Sequence, residues 1–324
     1  MAGNVWVLAE QWRGRLSDLA GEGLALGREL ATGFGSRLEA VLLGSGAQAL
    51  AAGLGAADGV LSVDHPSLAE PNPEAWCRAL EALIAERKPE VLVVPLSNIT
   101  ADVIGQLPAR LHLPLVNFCR DARVADGQLE ARCLLYGGKI ETAVVVASAP
   151  SVLGLLPGSR AAAAPAGGAA PPIEEVSVDL AGEGRIRFEQ YLDPAPGDVD
   201  VTQQTVLVSV GRGIQTEDNI ELAEELAAAL GGAVSASRPV IDQGWMPLTR
   251  QVGKSGATVK PKLYLAAGIS GAPEHVEGMK GAELIVAVNT DPGAPIFSVA
   301  HYGIVGDALD VLPALTAAVK ARKG

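Results

Sequence analysis

The chain has 324 residues, 48% hydrophobic and 19% charged, which excludes a disordered protein and supports one large or two medium domains. With 25 Lys and Arg against 37 Asp and Glu, the net charge is −12, so the basic footprint of a nucleic-acid-binding protein is missing. The three cysteines (Cys77, Cys119, Cys133) and four histidines show no CxxC or HxxxH spacing, which supports neither a disulfide framework nor a zinc site. The cysteines read instead as small buried hydrophobes.

The opening MAGNVWVLAE runs into a strand within a few residues and leaves no room for the basic and apolar regions of a secretory signal. Up to residue 100, short aliphatic runs (VWVLAE, LEAVLLG, GVLSVD, EVLVVPL) alternate with helical patterns near 16–34 and 73–87. That alternation predicts parallel strands joined by crossover helices. From about 115 to 192 the runs LVNFC, GQLEARCLLYG, KIETAVVVAS, SVLGLL, IEEVSVDL and RIRFEQYL come without long helices between them, as in an antiparallel or mixed extension of the same domain. The uncharged stretch within it, from Thr142 to Ser159, is interrupted by Pro150 and Pro157. It reads as buried strands rather than a membrane span, and the protein as cytoplasmic. RAAAAPAGGAAPP (160–172) reads as a surface loop.

The Pro/Gly/Asp cluster LDPAPGDVDVT (192–202) predicts a boundary, with one α/β domain at 1–198 and a second at 199–324. Beyond it TVLVSVG, AVSAS, KLYLAAG and ELIVAVN alternate with helical patterns from Thr216 to Leu230 and from Asp307 to Lys320. A smaller doubly wound parallel sheet of nucleotide-binding size follows. In such sheets ligands sit outside the carboxyl ends of the strands, and there stand GRGIQTEDN, SASRPV, QVGKSG, AAGISGAPEH and VNTDPGAP. Gly, Ser or Asn beside a cation at most of these ends points to a nucleotide or pyrophosphate-bearing cofactor. QVGKSG is not a Walker loop, because Leu248 stands where its first glycine is required. GxGxxG and GxSxG are also missing.

LYLAAGISGAPEHVEGMK (263–280), followed by IVAVNTDPGAPIFSVAHYGIVGDALDVLPAL (285–315), resembles the C-terminal signature of the electron transfer flavoprotein α subunit family, including its FixB branch. SRPVIDQGW and QVGKSG stand upstream in the family's order, and VWVLAEQWRGRL resembles its opening strand and loop. The resemblance implies a flavodoxin- or Rossmann-like FAD-binding C-terminal domain and an N-terminal domain that packs on a β subunit in a heterodimer. It places Arg212, Ser237, Arg238, Gln251, Val252, Gly253, Lys254, Ser255, Ser270, Gly271, Ala272, Pro273, Glu274, His275, Asn289 and Asp307 at FAD-binding positions. In those roles Arg238 would stabilise negative charge gained by the flavin, the Ser255 hydroxyl would bond N5, and His275 would donate toward the C2 carbonyl.

Three residues depart from the family pattern: Ser255 for the usual Thr, Glu274 for Gln, and His301 for Asp. Ser255 keeps the hydroxyl but loses the β-branch that fixes its rotamer. Glu274 would put a carboxylate near the flavin or face solvent. Trp6, Trp12 and Trp76 read as core or rim aromatics. The implied function is an electron carrier rather than a stand-alone enzyme, taking electrons from dehydrogenases to a quinone-linked or other acceptor. The alternatives are a bifurcating subunit working with a second FAD and NADH in the β subunit, and a non-redox nucleotide-binding scaffold.

Overall fold

The computed structural model describes residues 3–163, 170–180, 184–191 and 198–323. Part of the Ala/Pro/Gly loop and residues 192–197 of the expected boundary lie outside the described residues. Contacts divide the chain into Met1–Gln190 and Tyr191–Gly324.

In the first unit the elements run β1 (Val5–Leu8), a short hairpin of β2 (Gln11–Trp12) and β3 (Arg15–Leu16), α1 (Asp18–Phe34), β4 (Leu38–Gly44), β5 (Gly59–Asp64), α2 (Pro73–Arg87), β6 (Val91–Pro95) and α3 (Ala101–Leu111). They continue with β7 (Leu115–Ala125), β8 (Gln128–Leu135), β9 (Ile140–Val146), β10 (Ser151–Leu155) and β11 (Ile173–Glu175). The sheet order is β11-β5-β4-β1-β6-β10-β7-β8-β9. Pairing is parallel from β11 through β7 and antiparallel from β7 to β9. This is the parallel sheet with an antiparallel extension that the strand spacing predicts.

The period-two geometry of a strand explains the layering. Val5 and Val7 face one apolar cluster together with Leu24, Leu26 and Leu30 of α1, while Trp6 and Leu8 face another with residues of α2 and α3. Strands covered on both faces become continuous apolar runs, as VWVL and VLVVP are. Ser17 starts α1 by accepting a hydrogen bond from the Leu19 amide at 3.2 Å, and Gly35 ends it in the left-handed conformation. Trp6 and Trp76 are buried, whereas Trp12 is exposed with the Arg13 guanidinium 5.5 Å from its ring centroid. All three cysteines are buried and unpaired, and burial pushes the Cys77 and Cys119 thiols up to about 11.

Three local expectations differ from the structure. The helix α3, which buries Val103, Ile104, Leu107 and Pro108 on one face, is missing from the helical patterns expected above, and Pro108 inside it reads as a helix breaker. The strand β9 is an edge strand exposed along much of its length, although IETAVVV reads as buried. RIRFEQYL forms no strand among its described residues, and the IEEVSVDL run contributes only the three residues of β11.

The second unit runs β12 (Val206–Val210), α4 (Ile220–Leu230), β13 (Ala233–Ala236), α5 (Arg238–Asp242), β14 (Leu263–Ala267), α6 (Pro273–Met279), β15 (Leu284–Asn289), β16 (Tyr302–Val305) and α7 (Ala308–Lys323). All strands are parallel in the order β13-β12-β14-β15-β16. The order reverses between β12 and β14, which makes their carboxyl ends the topological switch point. One face of the sheet packs Val208, Val210, Leu265 and Ala267 against α4 and α7. The other packs Leu207, Tyr264 and Ala266 with Met279 of α6 and Ile296. The α4 helix begins at Ile220, later than its pattern suggests, because Thr216–Asn219 form a turn. The half-exposed β16 has no apolar run to announce it.

Candidate functional site

The expected cofactor residues gather at the carboxyl ends of the second unit's strands, where hydrogen bonds tie neighbouring loops into one rim. At the switch point the Gly211 amide donates to the Ala267 carbonyl at 2.9 Å and the Gly213 amide to the Gly268 carbonyl at 3.0 Å. The two loops touch backbone to backbone: a Cβ on Gly211 would lie 2.3 Å from the Gly268 oxygen, so only glycine permits this approach. Exposed Arg212 projects from the turn between them.

Next to the switch point, the Ser237 amide donates to the Val210 carbonyl at 3.0 Å. Ser237 is buried, while Arg238 is exposed and lies 3.4 Å from Asp242 one turn along α5. That pair is solvated and holds the guanidinium only loosely. The 251–257 loop extends the β13 edge: the Val252 amide donates to the Ala236 carbonyl at 2.9 Å, and the Lys254 amide to the Glu274 carbonyl at 2.7 Å. Gly253 takes φ +142 where the loop lies against α6, and a Cβ there would sit 3.0 Å from the Glu274 oxygen. Within the loop, buried Gln251 donates from Nε2 to the Ser255 hydroxyl at 3.0 Å.

On the other side, the Ile296 amide donates to the Ser270 carbonyl at 2.9 Å beside Gly271. Asn289 donates from Nδ2 to the Ile269 carbonyl at 2.9 Å and accepts the Asp291 amide on Oδ1. Asp307 caps α7 by accepting the Leu309 amide at 2.9 Å, and its other oxygen accepts from Gln215 at 3.4 Å. Asn289 and Asp307 therefore shape the rim through bonds to the chain itself. Ala272, Pro273 and Glu274 open α6 at the surface, with the Glu274 side chain exposed.

His275 is the inward member of the set, 6% exposed, with Nε2 hydrogen-bonded to the Tyr264 hydroxyl at 2.9 Å. Its Nδ1 is sealed from water beside the Val252 backbone without a hydrogen bond of good geometry. Burial lowers its pKa to about 4, against a smaller opposing effect of Val252, so the ring is neutral near pH 7. Burial also raises the Tyr264 phenol, with neighbouring Ser209 and Ser235 opposing.

Sequence reasoning did not single out Tyr264 or the support beneath the loop. Burial pushes the Asp198 carboxyl up, but hydrogen bonds from Thr249 and Arg250 outweigh it and hold the group below its usual range. Arg250 also donates to the Val234 carbonyl at 2.8 Å, anchoring the residue before Gln251 to β13. Arg250 could not be distinguished from a solvated cation without its three-dimensional partners. In the first unit, Glu29, Arg160, Asp121, Arg132, Glu141 and Arg120 form an alternating chain of ion pairs. Every arginine in that chain has a carboxylate, so it presents no unbalanced charge to an anion.

The donor set fits a dinucleotide cofactor: a glycine-built close approach at the switch point, exposed cations, and serine hydroxyls on a closed rim. Among the described residues no group of three or more His, Cys, Asp and Glu side chains could hold a metal, and no helix is long and apolar enough to cross a membrane.

The fold and rim thus define a two-unit α/β protein whose second unit is built for a nucleotide cofactor. Residues 200–280 match the electron transfer flavoprotein FAD-binding domain, and residues 5–181 the electron transfer flavoprotein domain. Protein FixB of Clostridium saccharobutylicum is 37% identical, covering 98% of this chain and 96% of that protein. The electron transfer flavoprotein subunit alpha of Clostridium acetobutylicum is 37% identical, covering 98% of this chain and 97% of that one. The acryloyl-CoA reductase electron transfer subunit beta of Anaerotignum propionicum is 35% identical, covering 99% and 96%. The chain belongs to the electron transfer flavoprotein α subunit family.

Proposed function

We propose that this chain, paired with a β subunit, holds one FAD along the carboxyl rim of residues 199–324 and carries electrons from a dehydrogenase to a quinone-linked or other acceptor. The observation that carries this reading is the closed rim at the switch point, tied by backbone bonds and carrying exposed cations and serine hydroxyls, in a unit that matches the family's FAD-binding domain. When bound, the flavin supplies the redox chemistry. This chain's residues bind and orient it. Arg212, Arg238 and Lys254 present positive charge to the anionic groups and to charge gained on reduction, while Ser237, Ser255 and Ser270 offer hydroxyls. The residues 1–198 serve as the packing surface for the partner.

The test is the absorption spectrum of the complex purified with its β subunit. A flavin band with about one FAD per complex beyond any held by β alone is the expected result. A colourless complex that also fails to take up added FAD would leave the scaffold reading in its place. Given a yellow complex, Arg238→Ala should lower the flavin reduction potential while changing FAD affinity little, because loss of one exposed cation costs about 1 kcal/mol.

A further inference from the structure

Gln251 is held by its backbone on every side. Its amide donates to the Leu248 carbonyl at 3.0 Å, its carbonyl accepts the Ala257 amide at 2.7 Å, and it bridges Ala236 at the edge of β13. Gly256 packs so closely that a Cβ there would meet the Gln251 oxygen at 2.4 Å and its Cγ at 2.9 Å. The residue is 3% exposed, and a buried amide needs partners. Its Nε2 finds one in the Ser255 hydroxyl, 3.0 Å away, four residues along the same loop.

The consequence lies in the direction of that bond. An amide nitrogen only donates, so it occupies a lone pair on Ser255 Oγ and leaves the hydroxyl proton to point elsewhere. Ser255 is exposed at the rim, and elsewhere there means outward. An unbranched serine otherwise samples three rotamers, whereas a β-branched residue is held in one or two by its own sterics. We propose that Gln251 is a positioning residue: by hydrogen-bonding Ser255 Oγ it selects one serine rotamer and turns the hydroxyl proton toward the cofactor. This rests on the reading that the rim holds FAD. A link from a buried, immobilised amide does for serine what the γ-methyl group does for threonine.

The test uses the complex of the full chain with its β subunit, stripped of FAD and titrated with FAD by fluorescence, together with the reduction potential of the refilled flavin. Gln251→Met keeps the volume but removes the donor, so the loop still packs. It should weaken FAD binding by about three- to tenfold, the range of one ordinary hydrogen bond, and shift the potential. Ser255→Ala should weaken binding similarly, and adding Gln251→Met to it should cost little more, because both remove the same link. The decisive variant is Gln251→Met with Ser255→Thr, in which the β-branch should restore both affinity and potential. A Gln251→Met complex with wild-type affinity and potential overturns the proposal. So does a loss that threonine fails to rescue, or one that adds fully to Ser255→Ala. A wild-type complex that takes up no FAD overturns the underlying reading instead, and is told apart because no variant is needed to see it.

Discussion

His275 shows how one residue can be named from sequence and still be placed where sequence could not put it. Its motif position implies a donor to the flavin, yet its Nε2 is held by Tyr264 and both nitrogens lie under the surface of α6. A buried neutral ring makes stability depend on pH. The unfolded chain protonates His275 near 6.5, the folded chain only near about 4, so the unfolded state binds more protons in between. Full stability is therefore present above pH 6.5 and is lost as pH falls toward 4, by about 3 kcal/mol. Urea unfolding followed through exchange of the 263–267 amides should show this loss in the wild type and a flatter profile in His275→Gln. An identical pH profile in both would mean the ring is not buried neutral. His301 is simpler: its Nδ1 accepts the Ile285 amide at 2.9 Å, at the amino end of β15 and away from the rim. An imidazole nitrogen there provides the acceptor that a carboxylate would.

Among the elements, the pair of loops after β12 and β14 carries the tightest constraint. Gly268 has φ +66, and a Cβ on it would lie 2.7 Å from the Gly213 Cα, which is backbone and cannot swing aside. Gly231, which ends α4 at φ +73, has nothing within 4 Å of its virtual Cβ. Gly231→Ala should cost about 1 kcal/mol from the left-handed conformation alone. Gly268→Ala adds overpacking and should cost roughly 2–4 kcal/mol, and should weaken FAD binding by parting the two loops. Urea titration of the two variants checks the ranking, and equal losses would show that the loops do not touch. The strand runs and the glycines of this region were legible because buried parallel strands are unbroken apolar words and close approaches demand glycine. The elements that escaped were those defined by partners. The strand β16 is marked only by β15 beside it, and β9 looks buried until the sheet order makes it an edge. Likewise the rim residues could be named from the motif, but the Gln251–Ser255 bond and the Asp198–Arg250 anchor join residues whose pairing no local pattern encodes.

On the scale of the whole chain, each unit closes its own core. Both faces of both sheets carry buried apolar clusters, with Leu8, Leu30, Val93 and Leu107 in the first unit and Leu207, Val210, Ala266 and Leu312 in the second at 0% exposure. Folding is therefore expected not to wait on a partner. Cofactor retention is expected to need one under the proposed function, because Arg212, Arg238, Lys254, Ser255, Ser270 and Glu274 are all open to solvent, and a ligand laid on them keeps one side in water. Well-held ligands have most of their surface buried, and on the proposed reading the β subunit supplies cover that these residues do not. The chain expressed alone should accordingly be folded by circular dichroism and unfold cooperatively, yet lose its yellow colour during gel filtration. Co-expressed with its β subunit, it should elute as a heterodimer that keeps its flavin through the same column. A chain that is unfolded alone would place the partner's role in folding, and a monomer that stays fully loaded with FAD would show that the rim needs no cover.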